Sequence, residues 1–174
     1  MKNWPTVPAV GEGEPLGEIA ADRRLLFPPD LRERVTPDAL LTLSIEAVVS
    51  LDLPGRGLRT WRGGEDTFAA PMLCTLLVFA YATSRFNSEE LDDQVAVDPQ
   101  LQYLCGRQRP SAHTLQRFRR AHRSFIGLAL MDVLRRLVTN PGQFTTDALA
   151  SAVGFAAEER LHLAVLADSV ARDC

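Results

Sequence analysis

Apolar residues along this chain recur mostly at helical spacing. Thr36-Pro37-Asp38 supplies an N-cap, a proline for the first helical position and an acid for the first turn. Behind it Leu41, Ile45, Val48 and Val49 repeat at intervals of three and four, which predicts a helix over 37–50 with these positions inward. Pro54-Gly55-Arg56-Gly57 ends it, and the stretch 58–66, with Arg59, Trp61, Arg62, Gly63 and Gly64, reads as a loop. From Thr67 onward Met72, Leu73, Leu76, Leu77, Phe79, Ala80 and Tyr81 make a run apolar on almost every side, the pattern of a helix packed at the centre of a bundle.

Shorter amphipathic segments follow. Ser88-Glu89-Glu90 opens a helix with Ser88 as cap, two acids in its first turn, and Leu91, Val95 and Val97 inward. Asp98-Pro99 opens a second helix carrying Leu101 and Leu104, stopped by Gly106. Pro110-Ser111 opens a third, with Leu115, Phe118, His122 and Phe125 on one face, which runs on to about Val138. Asn140-Pro141-Gly142 is a break, and Thr145-Thr146-Asp147 caps a last helix packed through Leu149, Val153, Leu161, Ala164 and Val165. No segment alternates with a period of two, so the expected fold is all-α: a single helical bundle of six or seven helices containing a helix-turn-helix-like unit. The chain divides into an arm over 1–22, a helical domain over 23–140 and a C-terminal helix over 141–174. Leu25-Leu26-Phe27 before Pro28-Pro29 forms an apolar strap that docks on the domain.

Composition narrows the classes. With 174 residues, 46% hydrophobic and 24% charged, the chain is long enough for one sizeable core and lies far from disordered or collagen-like limits. The longest apolar stretch, 68–83, contains Pro71 and falls short of the roughly 20 residues a bilayer span requires. No secretory leader is readable in 1–15, so a cytoplasmic protein with no membrane partner is expected. Cys74, Cys105 and Cys174 have no metal-ligand spacing, and their odd number suits no disulfide framework; Cys74 and Cys105 read as buried, inert thiols. No metal and no cofactor is expected.

Charge changes the picture more. The formal net charge is -3, which argues against bulk coating of nucleic acid. Yet 107–136 holds eight arginines against one acid, Asp132, so a +7 segment is set against -10 elsewhere. Within 107–123 there is no acid at all. The candidate contacts to double-stranded DNA are Arg107, Arg109, Ser111, His113, Thr114, Gln116, Arg117, Arg119, Arg120 and Arg123. Arginine suits phosphate and forked guanine contacts, and the helix start at 111–114 offers backbone N–H groups to a phosphate. The competing reading is a solvated arginine-rich face paired with Glu89, Glu90, Asp92 and Asp93 of the neighbouring helix. Trp61 and Phe86 read as packing under a loop before stacking on bases.

Longer motifs favour DNA. Tyr81, Thr83, Arg85 and Ser88, then Gln102-Tyr103-Leu104-Cys105-Gly106, Gln108-Arg109-Pro110, His113-Thr114-Leu115 and Arg117-Phe118-Arg119 occur in an order that resembles the N-terminal domain of InsH-type insertion-sequence transposases. The upstream string LLFPPDLRERVTPDAL, from Leu25 to Leu40, is similar to that family's opening. The resemblance implies a helical domain that binds the terminal repeats of a mobile element, ahead of a DDE nuclease domain. The sequence departs from the pattern at Ser111, where the family has Asp, and at Phe86-Asn87, where it has a basic pair.

That nuclease chemistry needs three carboxylates gathered by a folded sheet around two divalent metals. After Asn140 only 34 residues remain, and Asp147, the nearest candidate, sits at a helix start where capping explains it. The expectation is therefore a transposase-like DNA-binding protein that is not an enzyme, truncated or reused as a regulator. The alternative is a helical protein-interaction module that no longer binds DNA. The last helix carries more apolar positions than one face needs (Leu161, Leu163, Val165, Leu166, Val170), and either covers the domain or forms a homodimer seam.

Overall fold

The computed structural model describes residues 26–106, 108–138 and 145–171. The expected arm over 1–22, Leu25 of the strap, the break at Asn140-Pro141-Gly142 and Cys174 lie outside them. Seven α-helices fill most of the described chain: α1 (Pro37–Ser50), α2 (Ala70–Ala82), α3 (Ser88–Val95), α4 (Pro99–Cys105), α5 (Ala112–Ala121), α6 (Arg123–Arg136) and α7 (Thr146–Val170). The expected helical bundle is thus present.

α2 is its axis. Eleven of its thirteen residues are buried, and it touches α1, α4, α5, α6 and α7. α6 packs against α1 on one side and α7 on the other. α7 joins the same core through Val153, Ala156, Ala157, Leu161 and Ala164, while Val165 points outward. Leu26 and Phe27 of the strap pack on the core, and a 3-10 turn at Leu31–Glu33, capped by Asp30, leads into α1. Thr36 caps α1 by accepting from the Ala39 N–H at 3.3 Å. Val49 is 71% exposed, because α1 buries Leu40, Ser44, Ala47 and Val48. That face is rotated from the expected one; its small Ser44 and Ala47 allow close approach, and Ser44 satisfies its hydroxyl on the Leu40 carbonyl at 2.8 Å.

Val97, expected inward, is 76% exposed, and two expectations about the elements are corrected. The stretch 58–66 is not a loop throughout: β1 (Thr60–Gly63) pairs antiparallel with β2 (Asp66–Ala69), Gly63 opposite Asp66 and Thr60 opposite Ala69. The two-residue connection Gly64-Glu65 has φ +74 at Gly64, the positive first position of a type II′ hairpin turn. The long helix expected from Ser111 to Val138 is two helices broken at His122, where φ -125 and ψ 29 leave helical geometry. No proline or glycine marks that break. Its cause is tertiary: α5 packs against α3 and β1, while α6 must turn away to pack against α1 and α7.

Candidate nucleic-acid interface

α3, α4 and α5 are three short helices joined by turns, and α3 touches both of the others. Each begins on a side-chain cap. Asn87, one residue before the expected Ser88, accepts from the Glu89 and Glu90 N–H groups. Asp98 accepts from Gln100 and Leu101 while also pairing with Arg85 at 2.6 Å. α4 ends at Gly106, whose φ of +61 suits glycine at little cost. Ser111 then caps α5 by accepting from the Thr114 N–H at 3.3 Å.

The inward face of α5 is fixed by Leu115 and Phe118, both fully buried. β1 lies against it: Trp61 meets the Phe118 ring edge-on at 5.6 Å and the His122 ring at 5.0 Å. A Cβ on Gly63 would lie 2.4 Å from the Thr114 hydroxyl oxygen, so this crossing requires glycine. Phe86 stacks on Tyr81 with centroids 6.1 Å apart. Trp61 and Phe86 both pack, as expected.

Outward, α5 presents His113, Arg117 and Arg120, spaced four and three residues apart and therefore on one stripe, with Gln116 half-buried beside them. Among the described residues no carboxylate lies within 4.0 Å of Arg117 or Arg120. Arg120 donates only to the Gln116 carbonyl within its own helix, at 3.4 Å.

The other candidate contacts divide. Arg107 lies outside the described residues. Arg109 pairs with Asp92 at 2.8 Å and Asp93 at 3.6 Å, and half-exposed Arg123 pairs with Glu158 at 2.6 Å. Ser111 is exposed, but Thr114 is buried against Gly63. The helix start is not an open anion cradle: Asp92 accepts from the Ala112 N–H at 3.2 Å and Ser111 takes the Thr114 N–H. A carboxylate already occupies part of the place a phosphate would take.

Arg119 is the clearest correction to the contact set. It is 3% exposed and points inward, where its guanidinium donates to the Tyr81 phenol oxygen at 3.2 Å and to Asp168. Asp168 also accepts from the Ser88 N–H at 2.8 Å and the Ser88 hydroxyl at 3.0 Å. One carboxylate thus fastens α7 to α3 and α5. Burial opposes the charge on Arg119, but Tyr81 and Asp168 outweigh it and hold the guanidinium above its ordinary pKa. Burial pushes the Tyr81 phenol up to about 12. Nothing in the sequence pairs Arg119 with Asp168, since 49 residues separate them.

His122, within reach of the Trp61, Phe118 and Phe125 rings, has its pKa lowered by burial. Cys74 and Cys105 are buried free thiols pushed up to about 12 and about 11 by burial, which removes thiolate reactivity. Among the described residues no group of three or more His, Cys, Asp or Glu is placed to hold a metal ion, and no helix is long and apolar enough to cross a membrane.

Neither a curated protein nor a solved structure matches the chain. A family model does: residues 30–121 match the one described as Transposase domain (DUF772). The matched segment runs from Asp30, which caps the 3-10 turn, to the last residue of α5, and so contains the hairpin, the axial helix and the three short helices. It covers more than half of the 174 residues, and the chain belongs to the DUF772 transposase-domain family.

Proposed function

We propose that this protein binds double-stranded DNA through α5, with α3 to α5 acting as a helix-turn-helix-like unit. The stripe of His113, Gln116, Arg117 and Arg120 would lie in the major groove. The observation that carries this reading is that Arg117 and Arg120 stand exposed and without carboxylate partners in a chain that pairs Arg85, Arg109, Arg119, Arg123 and Arg136. Membership of a transposase family and the resemblance to the InsH-type N-terminal domain support DNA as the partner. On this reading the domain acts at the nucleoid as the DNA-recognition part of a transposase-like protein.

Fluorescence anisotropy with labelled duplex across a salt series tests it. Binding should weaken as salt rises, with a log–log slope of about -0.9 per neutralised phosphate. Replacing Arg117 and Arg120 together by Ala should reduce the magnitude of that slope by about 1.8 and weaken binding, with helicity by circular dichroism unchanged. Absence of binding at about 50 mM salt, where phosphate contacts are strongest, would sink the proposal.

A second reading, a protein-interaction module, is favoured by one observation. α7 leaves Phe155, Leu163, Val165, Leu166 and Val170 exposed, more apolar surface than a helix covering its own domain needs. A homodimer through this helix predicts a concentration-dependent sedimentation coefficient that Leu166→Asp reduces to the monomer value. A constant coefficient in the unmodified protein removes the dimer.

A further inference from the structure

Arg160 on α7 is a buried cation with no carboxylate in contact, although Glu159 and Asp30 favour its charge from farther away. It is 2% exposed, and its guanidinium donates to the Pro28 carbonyl at 2.6 Å and to the Ala156 carbonyl at 3.1 Å. Its Nε–H has no partner, and among the described residues no carboxylate lies within 4.0 Å of it. The contrast with Arg119 is direct, because there the same kind of buried group is closed by Asp168. Two neutral carbonyls leave the charge of Arg160 without a contact partner and its Nε–H unsatisfied, which is costly for a buried group. Burial lowers its pKa to about 10, so it is still charged at neutral pH.

Arg160 also forms part of the wall of a cavity of about 320 Å³. The remaining wall is Phe27 and Pro29 of the strap, Phe86 from the turn before α3, and Glu159 and Leu163 of α7. Four of these six residues are apolar. A mostly apolar wall with two charged groups, Arg160 and Glu159, and this volume fall in the ordinary range for a small-ligand site. Glu159 sets the charge of the ligand. Its carboxylate stands on the same wall and would repel a dianion such as phosphate more strongly than a monoanion.

We infer that this cavity binds a small monocarboxylate with an apolar body, its carboxylate on Arg160 and its body against Phe27, Phe86 and Leu163. The pairing supplies the charge-assisted hydrogen bonds that the guanidinium lacks, and the walls desolvate an aryl or short alkyl group. Such a ligand would bridge the strap to α7 on a face separate from the arginine stripe of α5, so the inference does not rest on DNA binding.

The test uses the whole chain and benzoate as the probe, followed by isothermal titration calorimetry and thermal melting. Benzoate should bind saturably and raise Tm, while benzamide, its neutral counterpart, and inorganic phosphate should bind at least about tenfold more weakly. Arg160→Gln should abolish the preference for benzoate over benzamide. Because a buried arginine can matter for folding, Leu163→Trp gives an independent check: its partly exposed position tolerates the ring, which fills the cavity and should abolish benzoate binding with helicity retained. Equal binding of benzoate and benzamide, unchanged benzoate binding in folded Leu163→Trp, or no saturable benzoate binding overturns the inference.

Discussion

At the scale of single residues, burial separates chemical roles that sequence position cannot. Arg117, Arg119 and Arg120 are near neighbours on α5, yet Arg119 closes a buried ion pair while the other two face outward. A half-turn of helix makes that difference, and it was partly legible: with Leu115 and Phe118 placed inward, Arg119 adjoins the buried face. Its partner was not legible, because only the folded chain brings Asp168 to it. His122 yields a prediction at this scale. The folded state disfavours the imidazolium, so the unfolded chain takes up a proton at higher pH. The contribution is therefore fully present above the ordinary histidine value of 6.5 and is lost as pH falls below it toward the lower folded pKa. Asp30, held below its ordinary pKa of 3.8 by its hydrogen bond to Arg32, and Asp98, held down against burial by the Leu101 N–H and Arg85, act in a more acidic window. The urea midpoint should drop between pH 7 and 5, and His122→Phe should flatten that drop. A midpoint in the unmodified protein that does not move over this interval contradicts the assignment.

Elements were legible where a cap, a period and a stop agreed. α1 begins and ends at the expected residues because Thr36, Pro37 and Pro54 mark its boundaries, and α2 is recognisable because almost none of its sides is polar. The hairpin was missed because Arg59 and two adjacent glycines read as irregular chain, although Gly64-Glu65 between Thr60-Trp61 and Thr67-Phe68 is a two-residue turn flanked by residues that favour strands. The break at His122 was missed because it has no local cause. α5 is the element on which the functional proposal turns, and Asp92 affects it twice, by accepting from Ala112 at its N-terminus and by holding Arg109. Asp92→Asn should leave Arg109 only its longer contact to Asp93 and remove a negative charge from the proposed phosphate side. Duplex affinity at low salt should rise, by about twofold to fivefold for a contact worth some 0.4 to 1 kcal/mol. Unchanged or weaker affinity in a variant of unchanged helicity would place that end of α5 away from the DNA.

For the molecule as a whole, the informative quantity is the distribution of charge. A net charge of -3 describes neither the arginine segment nor the acidic remainder, and the fold consumes part of that segment in ion pairs to Asp92, Glu158, Asp168 and Glu46. What remains for a partner among the described residues is narrower than the sequence suggested: Arg117 and Arg120 on one stripe of α5, with Arg135 apart from them on α6. The same ion pairs bind distant parts of the chain, and the buried one should matter most for stability. Asp168→Asn leaves Arg119 charged without a carboxylate in the core, and should cost about 3–5 kcal/mol, read as a lower urea midpoint with little change in slope. A shift below about 1 kcal/mol would mean that water reaches the pair.

The position of Asp168 has a further consequence for how the chain is assembled. The family segment ends at residue 121, with α5 complete and Arg119 already committed to the interior. The acid that neutralises it arrives 49 residues later, near the end of α7. Until α7 docks, water can hydrate the Arg119 guanidinium, so its buried pairing depends on the last helix folding back. The segment that matches the family model therefore ends before the acid that completes the packing of its last helix.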